Sequence, residues 1–132
     1  MINIIEFRAW DSTIQNMYYH IEKGLKLNTK FNLRIEFGEI LCWPTSRFKV
    51  MQFTGEIDKC RNKIFEDDIV FDPYWKTIHL VKRAGREFCM ADYLDTDGNW
   101  HGKYWPQIGC LEIIGNVHEN PELLCTKMNQ IR

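Results

Sequence analysis

Short runs of β-favouring residues, broken by turn residues at intervals of roughly ten positions, constrain the fold of this chain more than any other feature. Residues 33–37 alternate apolar and polar side chains, which is the period of a half-buried strand. Residues 77–81, 88–91 and 111–117 are further strand candidates, and Gly115 predicts a bulge in the last of them. The chain is therefore expected to be mainly β.

Turn chemistry separates these strands. Arg83-Ala84-Gly85-Arg86 predicts a tight hairpin, with Gly85 in a positive-φ conformation, and Asp95–Asn99 predicts a second turn. The aspartates of this second turn do not make it an EF-hand, because the glycine and glutamate of a calcium loop are missing from the required positions. Several strands joined in this way favour a small barrel.

Helix signals are few, and one weak boundary divides the chain. Asn120-Pro121-Glu122 has the cap, proline and acid of a helix start, which predicts a short C-terminal helix. A second short helix is expected somewhere within residues 22–32. Pro44 and its polar neighbours predict a boundary after residue 46. We expect an N-terminal β extension or oligomerisation arm at 1–46, the barrel at 47–124 and a tail at 125–132.

Composition narrows the classes of function. The chain has 132 residues, of which 45% are hydrophobic, so it can bury a real core. Its 17 basic and 18 acidic residues give a net charge of −1, and no basic field is available to neutralise many phosphates. Five cysteines without a Cys-x-x-Cys pair or a signal peptide predict reduced thiols in a cytoplasm, and no apolar run approaches a membrane span.

Glu66-Asp67-Asp68 is the densest acidic stretch and raises the question of a metal site. Neighbouring side chains of an extended chain point to opposite faces, so three in a row do not converge on one ion unless the backbone turns. We interpret the triplet as the solvated entrance of a strand, and predict no metal and no cofactor. Neither the cysteines nor the histidines carry a local catalytic signature, so we predict no catalytic residues and no enzyme.

Two groups of aromatic residues are the candidate binding sites. The first, in the N-terminal arm, is a candidate oligomer interface: Phe7, Trp10, Tyr18 and Tyr19. The second lies beside two prolines and is a candidate ligand contact: Tyr74, Trp75, Tyr104 and Trp105. Tyrosine and tryptophan are enriched in binding hot spots, whereas packing in the core is the alternative role for both groups.

Four stretches resemble the YopX family of phage and prophage proteins. They are Phe7-Arg8-Ala9-Trp10-Asp11 with Met17-Tyr18-Tyr19, Met51–Gly55 with Asp58-Lys59, Ile64–Val70, and the ending Glu112–Leu124. This chain departs from the family pattern at two places. It has Asp67 where the family usually has glycine, and it lacks the usual glycine near Arg61-Asn62-Lys63. At the second place we expect Asn62 to adopt the left-handed conformation. The resemblance implies an SH3-like β-barrel with added elements, assembly into oligomers, and no catalytic residues to transfer.

The resulting hypothesis is a cytoplasmic phage or prophage accessory protein that binds itself and an unidentified host or phage protein. One alternative is a nucleic-acid-binding barrel, which Lys82, Arg83 and Arg86 at the predicted hairpin tip would assist. Another is a small-ligand binder, for example of a nucleotide, with an aromatic pocket. A metal-dependent hydrolase has the least support.

Overall fold

The structure, a computed structural model, describes residues 5–26, 34–42, 47–74, 76–84, 87–94, 100–103 and 111–124. The chain divides into two compact units, Met1–Phe53 and Thr54–Arg132. The strand Phe48–Ile57 runs from the first unit into the second, so this division falls beyond the boundary predicted after residue 46.

The first unit is a small assembly of helices and strands built on three strands, in the order β2-β1-β5, of a sheet in which a fourth strand, β6 (Lys63–Phe65), lies next to β5. Its elements are β1 (Phe7–Asp11), β2 (Asn16–Tyr19), a 3-10 helix (Ile21–Lys23), β3 (Leu25–Lys26), β4 (Arg34–Ile35), α1 (Phe37–Leu41) and β5 (Phe48–Ile57). Ala9 lies opposite Tyr18 in the β1–β2 pair and opposite Val50 in the β1–β5 pair. Strands β3 and β4 form a separate antiparallel pair.

The core of the first unit draws on nearly every element. Ala9, Ile21, Leu25, Ile35 and Ile40 are buried together. Since these residues come from three strands and both short helices, none of the short elements buries its apolar face alone.

One expectation for this unit is wrong, and a second is tested over only part of its range. Residues 33–37 were expected to form one strand, but β4 ends at Ile35 and α1 begins at Phe37. The carbonyl of Glu36 accepts hydrogen bonds from the N–H groups of Glu39 and Ile40, which turns the chain into a helix. A helix was also expected within residues 22–32, but the 3-10 helix ends at Lys23 and a strand follows. Residues 27–32 lie outside the described part.

The second unit contains a five-stranded antiparallel sheet in the order β10-β9-β8-β7-β11. Its elements are β6 (Lys63–Phe65), β7 (Asp68–Asp72), β8 (Thr77–Ala84), β9 (Glu87–Leu94), β10 (Trp100–Lys103) and β11 (Glu112–Asn116). Four strands follow one another in the meander β7 to β10, and the last strand returns to pair with β7. The prediction of a mainly β chain is therefore confirmed.

Both faces of this sheet carry an apolar cluster. Val70 and Val81 lie on one face with Ile64, Met90 and Leu111, whereas Ile69 and Leu80 lie on the other. Ile113 packs against the first cluster and Ile114 against the second, as the alternation of a strand requires. In β7 and β8, Ile69, Val70, Leu80 and Val81 are fully buried, whereas the residues near the end of the sheet, Ile113, Ile114 and Val117, are only partly buried.

Strand β11 is irregular at the position that the sequence predicts. The register of β11 against β7 shifts between Ile113 and Gly115, which is the bulge expected there. Residues 122–124 are helical, so the short C-terminal helix is confirmed within the described chain. Leu123 and Leu124 of this helix pack against the cluster formed by Ile69 and Leu80.

Two turn predictions can be compared with the structure. Ala84 pairs with Glu87, so β8 and β9 form the predicted hairpin; Gly85 and Arg86 lie outside the described residues, as does the turn at 95–99. Asn62 was expected in the left-handed conformation, but Arg61 adopts it, with φ of 68°. The Asn62 N–H donates to the Asp58 carboxylate at 2.8 Å.

Candidate functional site

The N-terminal aromatic group separates into residues that pack inward and residues that do not. Phe7 and Tyr18 contact the core of the first unit, and the ring centroids of Phe7 and Phe37 are 5.0 Å apart. Trp10 is partly buried. Tyr19 is 52% exposed. Of the four residues, Tyr19 therefore offers the most surface to a partner.

Other apolar side chains of the first unit are also exposed. Ile5 precedes β1 and is 68% exposed, and Ile14 in the turn between β1 and β2 is 56% exposed. The guanidinium of the buried Arg8 lies 6.0 Å from the Tyr19 ring centroid, a cation–π contact between residues that are opposite in the β1–β2 register. This contact holds the Tyr19 ring against the sheet and still leaves half of it accessible.

A buried ion pair fixes the end of β1. Asp11 is fully buried, and its two carboxylate oxygens accept hydrogen bonds from Arg47 Nε at 3.0 Å and Nη2 at 2.9 Å. These bonds raise the pKa of the Arg47 guanidinium, although burial acts in the opposite direction. Asp11 also accepts the Thr13 N–H. The bidentate pair therefore ties the β1–β2 turn to the start of β5 and has a structural role.

Acidic groups also hold the beginning of β1. Glu22 accepts the N–H of Phe7 at 2.8 Å. His20 Nδ1 lies 3.5 Å from a carboxylate oxygen of the buried Glu6 and 3.7 Å from one of Glu22. His20 has a left-handed backbone with φ of 59° and an exposed side chain. The arrangement joins the 3-10 helix to β1, and sequence spacing gave no signal for it.

The second aromatic group lies mostly outside the described residues. Tyr74, in the turn between β7 and β8, is 78% exposed, and its N–H donates to Asp72. Trp75, Tyr104 and Trp105 belong to the undescribed part of the chain. The structure therefore gives no grouping of these four residues, and their role in ligand contact stays a prediction.

The interpretation of the acidic triplet as a solvated strand entrance is wrong for two of its members. Asp67 and Asp68 are each 2% exposed. The Asp68 carboxylate accepts the N–H of Phe65 at 2.8 Å and closes the turn between β6 and β7. Asp67 adopts φ of 70° in the same turn, which explains why glycine suits this position. The backbone does turn here, so alternation does not apply.

Asp67 is the centre of a charged cluster that sequence analysis missed. Its carboxylate oxygens lie 3.1 Å from Lys82 Nζ and 3.0 Å from His118 Nε2. The backbone of Asp67 is also fixed, since its N–H donates to Val81 and its carbonyl accepts from Val117. The cluster links the β6–β7 turn, β8 and the segment after β11. Asp67 and His118 are 51 positions apart, so no local pattern could have found the pair.

Asp58 performs a comparable structural task in the turn before β6. The buried carboxylate accepts the N–H groups of Cys60, Asn62 and Ile113 at 2.9, 2.8 and 3.2 Å. Burial acts to raise the pKa of Asp58, but the hydrogen bonds from Asn62, Ile113 and Cys60 outweigh it, and the pKa is lowered. Asp58 therefore holds the turn against β11 as a carboxylate.

The segment from Gly115 to Asn120, at the end of β11, forms a compact turn. The Asn116 side chain accepts the N–H groups of His118 and Glu119 and donates to the Glu119 carboxylate. Asn120 was expected to cap the C-terminal helix, but its side-chain oxygen accepts the N–H of Asn116 at 3.2 Å. The motif therefore closes the end of β11.

The described residues offer little for covalent or metal chemistry. Burial raises the pKa of the Cys89 thiol, although Lys82 acts in the opposite direction, so the thiol is not activated. Cys42 and Cys60 are free and exposed. His79 is buried, with Nε2 at 2.6 Å from the Thr77 hydroxyl. Within the described ranges, no group of three or more histidine, cysteine or acidic residues is arranged to hold a metal ion.

Comparisons with known proteins bear on the fold and the family of this chain. None of the helices in the described part of the chain is long and apolar enough to cross a membrane. The fold is similar to the crystal structure of protein EF1440 from Enterococcus faecalis, with a TM-score of 0.60 and 24% sequence identity, over 93% of this chain and 99% of that chain. No match was found among curated proteins. A family model described as YopX protein matches residues 6–125. Because these residues make up most of the chain, this protein belongs to the YopX family.

Proposed function

We propose that this protein is a phage or prophage accessory protein that acts by binding, to a second copy of itself and to a host or phage protein, and not by catalysis. The observation that carries the proposal is the difference between the buried acidic side chains, which bind the chain itself, and the apolar and aromatic side chains that are exposed. The buried acids Asp11, Asp58 and Asp68 all bind groups of their own chain. In contrast, Ile5, Ile14 and Tyr19 of the first unit are apolar or aromatic and exposed.

Exposed aromatic and aliphatic side chains favour a protein partner. Tyrosine supplies a large contact area with a small loss of conformational freedom, and it is common in interface hot spots. The free thiols at Cys42, Cys60 and Cys89 support a reducing compartment, such as the cytoplasm of the bacterial host. Closure of the second unit into an SH3-like barrel belongs to the same proposal, and the return of β11 to β7 supports it.

The experiment is light scattering coupled to gel filtration on the full chain at tens of micromolar. We expect a mass of at least two copies. Tyr19→Ala should raise the dissociation constant about 30-fold if Tyr19 is a hot spot worth ~2 kcal/mol. Tyr74→Ala is the matched control, because it also removes an exposed tyrosine but lies in the other unit.

A wild type that runs as a folded monomer at this concentration would contradict self-association. For the second partner, affinity capture from host cells during infection should recover one protein with the wild type and lose it with one of the two tyrosine variants. Recovery that is identical with both variants would exclude these tyrosines from that interface.

A further inference from the structure

His118 and Asp67 form a pair in the second unit whose chemistry goes beyond closing a turn. His118 Nε2 lies 3.0 Å from one carboxylate oxygen of Asp67, and Lys82 Nζ lies 3.1 Å from the other. The Asp67 side chain is 2% exposed, whereas the His118 side chain is 18% exposed. A buried carboxylate therefore stands behind an imidazole ring that still reaches solvent.

The Asp67 carboxylate determines which nitrogen of His118 carries the proton. The contact with the Lys82 ammonium favours the ionised carboxylate, and an ionised carboxylate only accepts hydrogen bonds. Nε2 is then the donor, so Nδ1 holds the lone pair of the neutral imidazole. A hydrogen bond accepted by Nδ1 would use this lone pair and leave the tautomer unchanged.

Backbone contacts fix both members of the pair. The His118 N–H donates to the Asn116 side chain at 3.1 Å. The carbonyl of Asp67 accepts the N–H of Val117, the residue before His118, at 3.0 Å. These bonds hold the two side chains on neighbouring backbone positions, so the imidazole keeps one orientation toward the carboxylate.

An oriented imidazole with its lone pair on Nδ1 can act as a metal ligand or as a nucleophile. A metal ion needs further ligands, and the described ranges contain no group of three or more histidine, cysteine or acidic residues arranged to hold one. A nucleophile needs a lone pair, access for the donor and a group that stabilises the charge formed in the reaction. Asp67 can supply the last of these, because attack through Nδ1 makes the ring positive.

We propose that His118 is a phosphorylation site, where Nδ1 accepts a phosphoryl group from a small activated donor such as a phosphoramidate or an acyl phosphate. The Nδ1 lone pair forms an N–P bond, the bond between phosphorus and the leaving group breaks, and the leaving group takes that electron pair. With phosphoramidate, the leaving nitrogen already carries its extra proton and departs as ammonia. Nε2 keeps its proton, and the positive ring faces Asp67. This modification site goes beyond the proposed binding function and does not depend on it.

His20 is the matched control within the same chain. Its side chain is 57% exposed, so accessibility alone would favour His20 over His118. Its Nδ1, and not its Nε2, lies near carboxylates, at 3.5 Å from Glu6 and 3.7 Å from Glu22. The same argument therefore leaves the lone pair on Nε2 of His20 and on Nδ1 of His118.

The test treats the full chain, with nitrogen-15 in its histidines, with phosphoramidate and follows it by phosphorus and nitrogen NMR. We expect phosphate on Nδ1 of His118, formed faster than any phosphate on His20. His118→Gln should remove this signal. Asp67→Asn keeps the shape of the side chain but not its charge, and should slow the reaction at His118 about tenfold.

The nitrogen that is labelled separates this role from a purely structural one. Phosphate that forms on His20 first, or on Nε2 of His118, or not at all on His118, would overturn the proposal. In a folded Asp67→Asn protein, checked by urea unfolding, an unchanged rate would overturn the role of the carboxylate. If this variant does not fold, the order of labelling and the labelled nitrogen of the wild type decide the outcome.

Discussion

At the scale of single residues, Asp58 stabilises the fold only as a carboxylate. Asp58→Asn keeps the shape but replaces one acceptor by an N–H₂ group facing backbone donors, so we expect a loss of ~1.5–3 kcal/mol in unfolding free energy at neutral pH. Glu112→Gln is the matched control: its partly exposed ion pair with Lys59 spans 3.2 Å, and removing it should cost less than ~1 kcal/mol. Urea unfolding compares the two, and equal losses would contradict the role of Asp58.

We expect Asp58 to account for part of the pH dependence of the unfolding free energy. Because the folded pKa of Asp58 is lowered, its contribution to stability is complete above the unfolded pKa of ~3.9 and is lost as the pH falls through the folded pKa. The wild type should therefore lose more stability on acidification than Asp58→Asn. Parallel stability curves from about pH 5 to pH 2 would show that Asp58 titrates identically in both states.

Asp67 combines an unfavourable backbone with favourable contacts. Its left-handed conformation costs a non-glycine residue ~1–2 kcal/mol, and its carboxylate binds Lys82 and His118. Asp67→Gly relieves the backbone but loses these contacts, whereas Asp67→Ala loses the contacts and keeps the strain. We expect Asp67→Ala to be the less stable of the two by about 1 kcal/mol, measured by urea unfolding. Equal stability would contradict the left-handed assignment.

At the scale of elements, the turn after β11 depends on the absence of a side chain at Gly115. A Cβ there would lie 2.6 Å from Asn120 Oδ1, so Gly115→Ala must displace the side chain that accepts the Asn116 N–H. We expect a loss of ~1–3 kcal/mol, since this removes a hydrogen bond and strains the bulge.

Gly38 is the control for this substitution. It lies inside α1, and a Cβ there would meet no atom within 4 Å. Gly38→Ala should stabilise the protein by ~0.5–1 kcal/mol, because alanine favours a helix over glycine. Thermal unfolding of both variants shows the difference, and a Gly115→Ala midpoint at or above that of the wild type would exclude the steric role.

Elements were predictable where the pattern is local. The β8–β9 hairpin, the bulge of β11 and the C-terminal helix follow from alternation, glycine and a proline-led helix start. The strand expected at 33–37 failed because its alternation continues into a segment that tertiary contacts make helical, with Phe37 packed on Phe7. A short apolar pattern fits both structures, and packing decides between them.

At the scale of the whole molecule, the charge distribution disfavours nucleic acid. The net charge is −1, and Lys82, one of three cations assigned to the predicted hairpin tip, is paired with the buried Asp67. We therefore expect no retention on a single-stranded DNA column at about 0.15 M salt, where phosphate contacts by several cations are needed. Retention that disappears steeply with added salt would instead favour the nucleic-acid-binding barrel.

The sequence by itself determined the fold class and the position of the β8–β9 hairpin, because strand periodicity and turn chemistry act between near neighbours, and its motifs indicated the family. It also identified the N-terminal aromatic group. Only the tertiary structure decided that Phe7 and Tyr18 belong to the core while Tyr19 stays accessible. It likewise turned two acids of an apparently solvated triplet into buried ones.

The physical reason is the distance along the chain between the interacting groups. Asp11 meets Arg47 across 36 positions, Asp67 meets His118 across 51, and Asp58 meets the Ile113 N–H across 55. An acid is buried or solvated according to the donors that surround it, and those donors are supplied by remote strands. Local sequence therefore favours particular elements, whereas packing decides between them in ambiguous segments, and the register of distant strands specifies which of their polar groups are buried.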